Sequence, residues 1–369
     1  MTKSSQSGLS QEDLANTEAV VLVGGKGTRL RPLTLSAPKP MLPTAGLPFL
    51  THLLSRIRAA GIKHVVLGTS YKAEVFEEYF GDGSELGLEI DYVVEDTPLD
   101  TGGGIRNVLS ALRGDNILVF NGDVLGGTDL QDVLQTFLEK QADVVLHLVK
   151  VPDPRAFGCV PTDESGRVEA FLEKTPNPPT DQINAGCYVF RKEIIESIPA
   201  GVPVSVERDV FPRLLDEGKR VFGHVDANYW RDMGTPNDFV QGSADLVQGI
   251  APSPALEGNC GDYLLLPGAD VADSAELSKG TVVGANCTVR AHAQLVGATI
   301  FDGATIAEDA VVERSIIGKN AVIGKGAVVK DAVIGDGVTV GAGCELLEGI
   351  RIWPNVVISD GGIRFSTDA

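Results

Sequence analysis

The 369-residue sequence predicts an α/β domain built on a mainly parallel sheet, followed by a parallel β-helix. Two patterns lead to this fold class. In the first part of the chain, short apolar runs rich in β-branched residues alternate with amphipathic stretches, which is typical of parallel strands joined by crossover helices. Near the C-terminus, an aliphatic residue recurs about every six positions within units of seventeen residues, which is typical of stacked coils with three short strands each.

The alternating pattern begins with the apolar run 19–23, which predicts a buried strand. Further strands are predicted at 64–69, 90–94, 117–120, 168–174 and 183–190, and amphipathic helices at 73–80, 104–112, 130–137 and 237–247. This order predicts a doubly wound, Rossmann-like sheet. Ligands of such sheets bind beyond the carboxyl ends of the strands, where the turns after residues 23 and 120 fall.

The C-terminal repeat consists of units that begin at Val283, Ile300, Ile317 and Ile334. Their aliphatic residues are predicted to point inward, while glycine and other small residues turn the corners. An ordinary β-sandwich would not keep a fixed register of seventeen residues over several units. The repeat therefore predicts a parallel β-helix.

Composition along the chain predicts a disordered tail at 1–17, an α/β domain at 18–248, a linker at 249–270 and a β-helix at 271–369. The tail is polar and lacks the apolar run of a signal peptide. The linker is assigned because prolines and glycines accumulate after Gly249 without a sustained periodicity.

Charge and cysteine content exclude some classes of protein. The formal net charge of −19 argues against a nucleic-acid-binding surface, which would require a basic face. No apolar run approaches the length of a membrane span. The five cysteines are scattered without a C-x-x-C pair, which is typical of a reduced protein, and we predict a cytoplasmic location without nucleic-acid or membrane partners.

A glycine-rich turn directly follows the first strand and contains Gly24, Gly25 and Gly27. Glycines allow backbone N–H groups to approach an anionic ligand closely. The cations Arg29, Arg31 and Lys39 follow within a few residues, so the turn is predicted to bind phosphate rather than to be a plain tight turn. Two known phosphate motifs do not fit, because Leu30 stands where a dinucleotide fingerprint needs its third glycine and the Gly-Lys-Ser/Thr ending of a P-loop is missing.

Carboxylates stand at two further turns. Asp123 follows the strand 117–120, and Asp232 lies in the turn YWRDMGTP, between an aromatic pair and a Gly-Thr-Pro sequence. Either carboxylate could simply form a turn or cap a helix. The position of Asp123 at the ligand-binding edge of the sheet favours a role in binding Mg²⁺, which prefers one or two carboxylates together with phosphate oxygens.

The motif GGKGTRLRPLT followed by KPMLP resembles the signature of the nucleotide-sugar pyrophosphorylases, also called sugar-1-phosphate nucleotidyltransferases. The sequences NGDV, FLEK, INAGCYVF and YWRDMGTP follow in the order typical of that family. The resemblance extends from about Glu18 to the end of the chain, because a left-handed β-helix often follows the catalytic domain in this family.

The resemblance implies the reaction of a sugar 1-phosphate with a nucleoside triphosphate to give a nucleotide-sugar and pyrophosphate. The phosphate oxygen of the sugar is the nucleophile and is already ionised at neutral pH, so no general base is needed. Within the family, the sequence is most similar to members that use GTP and mannose 1-phosphate with Mg²⁺. A homo-oligomer formed through the β-helix is also expected.

The resemblance also implies roles for particular residues. Arg29 and Lys39 would be catalytic, and Asp123 and Asp232 would bind the metal ion. Nucleotide contacts would come from Leu22, Gly24, Gly25, Gly27, Thr28, Thr101, Gly102 and Gly103. Contacts to the sugar phosphate would come from Asn121, Gly158, Glu173, Lys174 and Asn184.

Several alternatives follow from departures from the family pattern. Thr175 stands where proline is usual, which is expected to alter the local turn without removing the cation of Lys174. Asp100 stands where glycine is usual, and the run TGGG at 101–104 also resembles uridylyltransferases acting on amino-sugar phosphates, so a UTP- or dTTP-dependent enzyme acting on glucose or amino-sugar 1-phosphates is an alternative. An acyltransferase activity of the β-helix would need a catalytic histidine, and the coils contain only His292. A catalytically inactive subunit that senses nucleotide-sugars is disfavoured, because such a subunit is expected to have lost a catalytic cation or a metal carboxylate.

Overall fold

The computed structural model describes residues 8–172, 174–256 and 261–364. The chain forms two compact units, and neither is a continuous segment. The first unit comprises Met1–Gly25 and Leu54–Trp230, and the second comprises Lys26–Leu53 and Arg231–Ala369. The segment 26–53, which continues the glycine-rich turn, therefore groups with the C-terminal part of the chain rather than with the rest of the predicted domain 18–248.

A seven-stranded sheet forms the core of the first unit. Its strands are β1 (Thr17–Leu22), β2 (His64–Thr69), β3 (Glu89–Val94), β4 (Asn116–Asn121), β5 (Val144–Lys150), β6 (Gln182–Arg191) and β7 (Val221–Asp226). Their order is β7-β5-β6-β4-β1-β2-β3, and only β6 runs antiparallel to its neighbours. The predicted mainly parallel sheet is confirmed.

The α-helices are α1 (Gln11–Ala15), α2 (Phe49–Ala59), α3 (Glu74–Phe80), α4 (Asp100–Asn107), α5 (Leu130–Glu139), α6 (Lys192–Glu196), α7 (Phe211–Asp216) and α8 (Pro236–Val247). Single turns of 3₁₀ helix occur at Thr28–Leu30, Leu33–Leu35, Lys39–Met41, Ser84–Leu86, Leu109–Ala111 and Pro154–Ala156, and a π-helical turn at Val206–Val210. Short strands lie at Pro43–Thr44, Leu47–Pro48, Val124–Gly126 and Trp230–Asp232. The helix predicted at 104–112 begins earlier, at Asp100, and ends at Asn107.

Strand β1 lies at the point where the chain changes the side of the sheet to which it adds successive strands. The chain proceeds from β1 to β2 and β3 on one side, and then returns to place β4 on the other side of β1. Residues 19–21 are fully buried, because helices cover both faces of such a sheet. The carboxyl ends of β1 and β4 therefore form the edge at which doubly wound sheets bind ligands.

Two sequence predictions in the first unit are wrong for the residues that the structure describes. Of the predicted disordered tail 1–17, residues 1–7 lie outside the described residues, whereas residues 8–17 contain helix α1, whose first turn is capped because Ser10 and Asp13 exchange side chain to backbone hydrogen bonds. Within the predicted strand 168–174, the described residues 168–172 form no strand, since their backbone groups bond to different segments. The N–H of Val168 donates to Val221, whereas the N–H of Leu172 donates to Cys159.

Three parallel sheets build the β-helix of the second unit. The first contains Tyr263–Leu265, Thr281–Val283, Thr299–Ile300, Ile316–Ile317, Val333–Ile334 and Arg351–Ile352. The second contains Asp270–Val271, Thr288–Val289, Thr305–Ile306, Val322–Ile323, Thr339–Val340 and Val357–Ile358. The third contains Glu276–Ser278, Gln294–Val296, Val311–Glu313, Val328–Lys330 and Glu345–Leu346.

The predicted period is confirmed in the central coils. Val283 pairs with Ile300 and Ile300 with Ile317, each a step of seventeen residues, whereas the step from Ile334 to Ile352 is eighteen. The aliphatic positions point inward as predicted and form a closed apolar core of Val283, Ile300, Ile317, Ile334, Val289, Ile306, Ile323, Val340, Leu295, Val312, Val329 and Leu346. This architecture agrees with the predicted left-handed β-helix. Its strands begin at Tyr263, so part of the predicted linker 249–270 belongs to the coils.

The segment 26–53 is fixed to the C-terminal part of the second unit. The backbone N–H of Ala45 donates to Ser243 Oγ of helix α8 over 2.9 Å, and His52 Nδ1 lies 2.8 Å from Ser253 Oγ. Gly46 has a φ of +82°, and a Cβ there would lie 2.6 Å from the side chain of Leu266. These contacts show that the residues following the glycine-rich turn require the C-terminal part of the chain for their packing.

Helix α8 also packs against the β-helix within this unit. Gly280 has a φ of +75°, and a Cβ there would lie 2.6 Å from the backbone of Ala244 in α8. The absence of a side chain thus permits the close approach of helix and coil.

Among the residues that the structure describes, none of the helices combines the length and the apolarity that a membrane crossing requires.

Candidate active site

The glycine-rich turn starts directly at the end of β1 in the first unit. The N–H of Val23 donates to the carbonyl of Gly68, which continues the pairing with β2. The Ser70 hydroxyl donates to the carbonyl of Gly24 over 2.7 Å, and a Cβ on Gly24 would lie 2.8 Å from Ser70 Oγ. A Cβ on Gly25 would meet no atom within 4 Å. The backbone at Gly25 therefore faces open space in which a ligand can approach it.

The turn after β4 is pressed against the end of β1. The N–H of Gly122 donates to the carbonyl of Leu22 over 3.0 Å, and a Cβ on Gly122 would lie 2.6 Å from that oxygen. Only glycine fits this approach. The flanking residues Asn121 and Asp123 are half-buried. The structure thus brings Leu22, Asn121 and Asp123 to the same edge of the sheet, as the sequence predicted.

A buried tyrosine holds one of the predicted sugar-binding residues. Asn184 donates from Nδ2 to the Tyr188 hydroxyl over 2.7 Å. Asn184 Oδ1 accepts a hydrogen bond from the N–H of Gly186 over 3.0 Å. Burial raises the pKa of Tyr188 well above 10, so its hydroxyl remains neutral. The Asn184 side chain is therefore held in one orientation by the buried hydroxyl and by the backbone of Gly186.

The surroundings of Asn184 include two further motif residues. Its N–H donates to the carbonyl of Gly158 over 3.0 Å. Trp230 donates from Nε1 to the carbonyl of Ala185 over 3.0 Å and packs edge-on against Phe157, with ring centroids 5.4 Å apart. The structure thus places Gly158 next to Asn184, and the packed rings of Trp230 and Phe157 lie nearby.

Of the adjacent residues Glu173 and Lys174, both predicted contacts to the sugar phosphate, the structure describes only one. Lys174 is exposed and has a φ of +32°, whereas Glu173 lies outside the described residues. The exposure of Lys174 leaves its ammonium group accessible to a ligand in solution.

Thr101 is tied to a segment that the sequence patterns did not single out. Its hydroxyl donates to Glu207 Oε2 and accepts a hydrogen bond from the N–H of Val206, both over 2.9 Å. Asp100, the residue that departs from the family pattern, pairs with Arg208 over 2.8 Å. The start of helix α4 is thus fixed to residues 206–208.

The glycines of this motif have a packing role. The N–H groups of Gly102 and Gly103 donate to the carbonyl of Val204 over 2.7 and 3.1 Å. A Cβ on Gly103 would lie 2.7 Å from the carbonyl oxygen of Val202. The close approach of residues 202–204 requires these glycines independently of the predicted nucleotide contact.

Glu95 is a candidate site residue that the sequence predictions did not include. It follows strand β3, and a Cβ on Gly104 would lie 2.6 Å from its Oε1. Burial raises the pKa of Glu95, although the N–H of Leu99 donates to its carboxylate. Glu95 directly follows a predicted strand, as Asp123 does, so the same sequence pattern could have identified it as a candidate site residue. Tyr188, in contrast, lies inside an apolar strand and gave no such signal.

In the second unit, Gly27 shapes the turn that carries the cations. It has a φ of +57° and precedes the 3₁₀ turn Thr28–Leu30. Its carbonyl accepts hydrogen bonds from the N–H of Leu30 and from the hydroxyl of Thr34, both over 3.0 Å. A Cβ here would lie 3.0 Å from the Cβ of Lys39, which is buried. Gly27 thereby brings Lys39 beside the turn from which Arg29 projects.

Arg29 and Asp232 meet above Gly234. A Cβ on Gly234 would lie 2.9 Å from both terminal nitrogens of Arg29 and 2.9 Å from Oδ2 of Asp232. A guanidinium and a carboxylate from distant parts of the sequence therefore lie side by side. The first can hold phosphate charge and the second can bind a metal ion, so together they suit chemistry on a nucleoside triphosphate.

The candidate residues are divided between the units. The second unit contains Gly27, Thr28, Arg29, Lys39 and Asp232. The first unit contains Leu22, Gly24, Gly25, Thr101, Gly102, Gly103, Asn121, Asp123, Gly158, Lys174 and Asn184.

Family comparisons agree with this architecture. Residues 18–249 match the family model described as nucleotidyl transferase, and residues 259–364 match the GMPPB C-terminal domain. The chain belongs to the nucleotidyl transferase family. It is 67% identical over 352 residues to the mannose-1-phosphate guanylyltransferase of Mycobacterium tuberculosis, covering 95% of this chain and 98% of that protein.

More distant relatives carry related names. The chain is 33% identical over 270 residues to the mannose-1-phosphate guanylyltransferase catalytic subunit beta of Drosophila pseudoobscura pseudoobscura, covering 71% of this chain and 72% of the relative. A crystal structure of HddC from Yersinia pseudotuberculosis, complexed with GMP-PN, superimposes with a TM-score of 0.55 at 29% identity. That match covers 62% of this chain and 99% of the HddC chain.

Replacing Gly234 by alanine tests the placement of Arg29 beside Asp232. The three atoms nearest to the added methyl are at the ends of these two side chains, so the fold should persist while both groups are displaced. We expect kcat/KM for nucleotidyl transfer to fall roughly 10- to 100-fold, with little change in the thermal midpoint. Steady-state kinetics and thermal unfolding measure these effects.

Gly261→Ala is the matched control for Gly234→Ala. A Cβ on Gly261 would make only an ordinary contact, 3.7 Å from the carbonyl of Tyr263, so activity should be unchanged. Wild-type activity of Gly234→Ala would contradict the functional importance of the pair.

Proposed function

We propose that the protein transfers GMP from GTP to mannose 1-phosphate, giving GDP-mannose and pyrophosphate. The observation that carries the reaction type is the position of the Arg29 guanidinium beside the carboxylate of Asp232 at Gly234, within the second unit. The choice of GTP and mannose 1-phosphate is supported by the 67% identity, over nearly the whole chain, to the mannose-1-phosphate guanylyltransferase of Mycobacterium tuberculosis. The complex of HddC with GMP-PN supports the same base.

The proposed reaction is a displacement at phosphorus. A phosphate oxygen of mannose 1-phosphate attacks the α-phosphorus of GTP and forms a new P–O bond. The bond from the α-phosphorus to the oxygen bridging to the β-phosphate breaks, and pyrophosphate leaves with the electron pair. Because the nucleophile is already an anion, the protein contributes positioning and charge stabilisation rather than a general base.

The nucleotide phosphates are assigned to the glycine-rich turn and its cations. Gly24, Gly25 and Gly27 permit backbone N–H groups to approach the triphosphate. Arg29 and Lys39 supply positive charge where negative charge accumulates during transfer. The remaining proposed nucleotide contacts are Leu22, Thr28, Thr101, Gly102 and Gly103.

The sugar phosphate is assigned to the residues around Tyr188. Asn184 is already oriented by the buried hydroxyl, so a sugar bound there would not have to immobilise it. Asn121 is assigned to the same group of contacts. The exposed ammonium of Lys174 suits a phosphate group. Gly158 and Glu173 complete the proposed set.

Asp123 and Asp232 are proposed to hold Mg²⁺. Both are half-buried carboxylates, and hard oxygen donors of this kind suit magnesium better than softer transition metals. The position of Asp232 Oδ2 close to the guanidinium of Arg29 supports a role near phosphate oxygens. When bound, the ion would neutralise charge on these oxygens.

A homo-oligomer formed through the β-helix is also proposed. The last coil exposes Trp353, Val356 and Val357, with 49%, 40% and 73% of their surfaces accessible. Val357 belongs to the strand Val357–Ile358, which is the last of its sheet among the described residues. A second copy that covers this face would bury apolar surface.

A cytoplasmic location is proposed as well. The four cysteines in the described part of the chain, Cys159, Cys187, Cys287 and Cys344, are free and buried. Buried free thiols suit a reducing compartment.

A substrate panel tests the proposed reaction. The purified protein with Mg²⁺ is given GTP, UTP, dTTP or ATP together with mannose, glucose or glucosamine 1-phosphate, and pyrophosphate release is measured. We expect the highest kcat/KM for GTP with mannose 1-phosphate, by about 10-fold or more over each other pair. A faster reaction of UTP or dTTP with glucose 1-phosphate would refute the proposed specificity. Binding of GDP-mannose without turnover of any pair would instead indicate a regulatory subunit.

Asp123→Asn tests the metal assignment. The substitution keeps the shape but removes the charge that would bind Mg²⁺, so we expect kcat to fall about 10²- to 10³-fold and the Mg²⁺ concentration for half-maximal rate to rise. Circular dichroism should be unchanged. Asp132→Asn, at an exposed carboxylate of helix α5, is the control and should retain full activity. A wild-type magnesium titration for Asp123→Asn would remove Asp123 from the metal site.

The variant Trp353→Ser/Val357→Asp tests the proposed oligomer. Its charge and smaller side chains should prevent burial of the last coil, and light scattering should show a lower mass than that of the wild-type protein. Val202→Asp, at a valine of the first unit that is 45% exposed, should leave the mass unchanged. An unaltered mass of the double variant would exclude this face as the contact.

A further inference from the structure

One outward-facing column of the β-helix changes character in the last coil. In the first sheet, the positions next to the inward-pointing residues are Val282, Thr299, Ile316 and Val333, which pair in register and are all buried. Arg351 continues this column, since it pairs with Val333. An uncharged, buried position in four coils is thus replaced by a guanidinium in the last one.

Arg351 contacts the turn that carries the catalytic cation, 322 residues away in the sequence. Its Nη1 donates to the carbonyl of Arg29 over 2.7 Å and to the carbonyl of Arg31 over 3.0 Å. Both groups belong to the second unit. A single nitrogen therefore binds two backbone carbonyls at the end of one 3₁₀ turn.

The turn needs such a partner for a physical reason. Its own hydrogen bonds join the N–H of Leu30 to Gly27 and the N–H of Arg31 to Thr28. The last carbonyls of any helical turn lack partners within that turn and must be bound from outside it. A cationic donor suits them well, because charge-assisted hydrogen bonds are about twice as strong as neutral ones.

The same turn fixes where the Arg29 side chain starts. Its guanidinium lies beside Asp232 above Gly234, whereas its backbone carbonyl is held by Arg351. We propose that Arg351 is a positioning residue for nucleotidyl transfer, which holds the turn so that the Arg29 guanidinium is aligned for the triphosphate. The proposal rests on the catalytic role proposed for Arg29. It gives the last coil of the β-helix an indirect part in the reaction, through Arg29.

Kinetics of Arg351 variants test this role. We expect Arg351→Ala to lower kcat/KM for GTP roughly 10- to 100-fold, mainly through kcat. Arg351→Lys keeps the charge and one donor group, so it should recover part of this loss. If the alanine variant does not fold, the lysine variant tests the proposal in its place. Arg364→Ala is the control, because Arg364 lies on the same terminal coil and pairs with Glu345 over 3.4 Å. It should keep wild-type kinetics.

Hydrogen exchange measures the turn itself. In Arg351→Ala, amides of a peptide covering residues 28–31 should exchange faster than in the wild-type protein, while the seven-stranded sheet stays protected. Unchanged exchange in this peptide would overturn the proposed positioning.

A double-variant comparison separates the inference from the proposed function. If Arg351 acts through Arg29, then Arg351→Ala should cause less than about a 3-fold further loss when Arg29 is already alanine. The same large loss in both backgrounds, or wild-type kinetics of Arg351→Ala beside an inactive Arg29→Ala, would overturn the role of Arg351 alone. Full activity of Arg29→Ala would overturn the catalytic role of Arg29 itself.

Discussion

Burial of strand β1 on both faces of the central sheet is the constraint on which the candidate site depends. Since its residues 19–21 are fully enclosed, the strand cannot shift, and its carboxyl end fixes where Gly24 and Gly25 begin. The turn after β4 is then fixed as well, because Gly122 approaches the carbonyl of Leu22 too closely for any side chain. The backbone of Gly24 and Gly25 and the carboxylate of Asp123 thus derive their positions from a single buried element.

The glycine-rich signature is one continuous stretch of sequence, but its residues belong to two different structural units. Gly24 and Gly25 belong to the unit of the sheet, whereas Gly27, Arg29 and Lys39 belong to the unit that contains the β-helix. Hydrogen bonds from Ala45 to Ser243 and from Arg351 to the Arg29 turn explain this grouping. The β-helix is therefore part of the framework that supports the cations, in addition to any role in assembly.

Polar groups at the site are oriented before any ligand binds. Tyr188 is kept neutral by burial and fixes Asn184, and Gly234 leaves room for Arg29 beside Asp232. Such preorganisation reduces the entropy lost on binding and avoids reorganisation during transfer. It suits a reaction in which the nucleophile is already charged and only alignment and charge stabilisation are required.

The sequence by itself determined the mainly parallel sheet, the period of the β-helix, the glycine-rich turn and the candidate residues at strand ends. These features depend on local periodicity and on residue types, which a sequence displays directly. Tertiary structure alone decided that residues 8–17 fold into part of the first unit, that residues 168–172 form no strand and that Arg351 reaches the Arg29 turn. Each of these depends on partners far apart in the chain, and local periodicity carries no information about which distant groups meet.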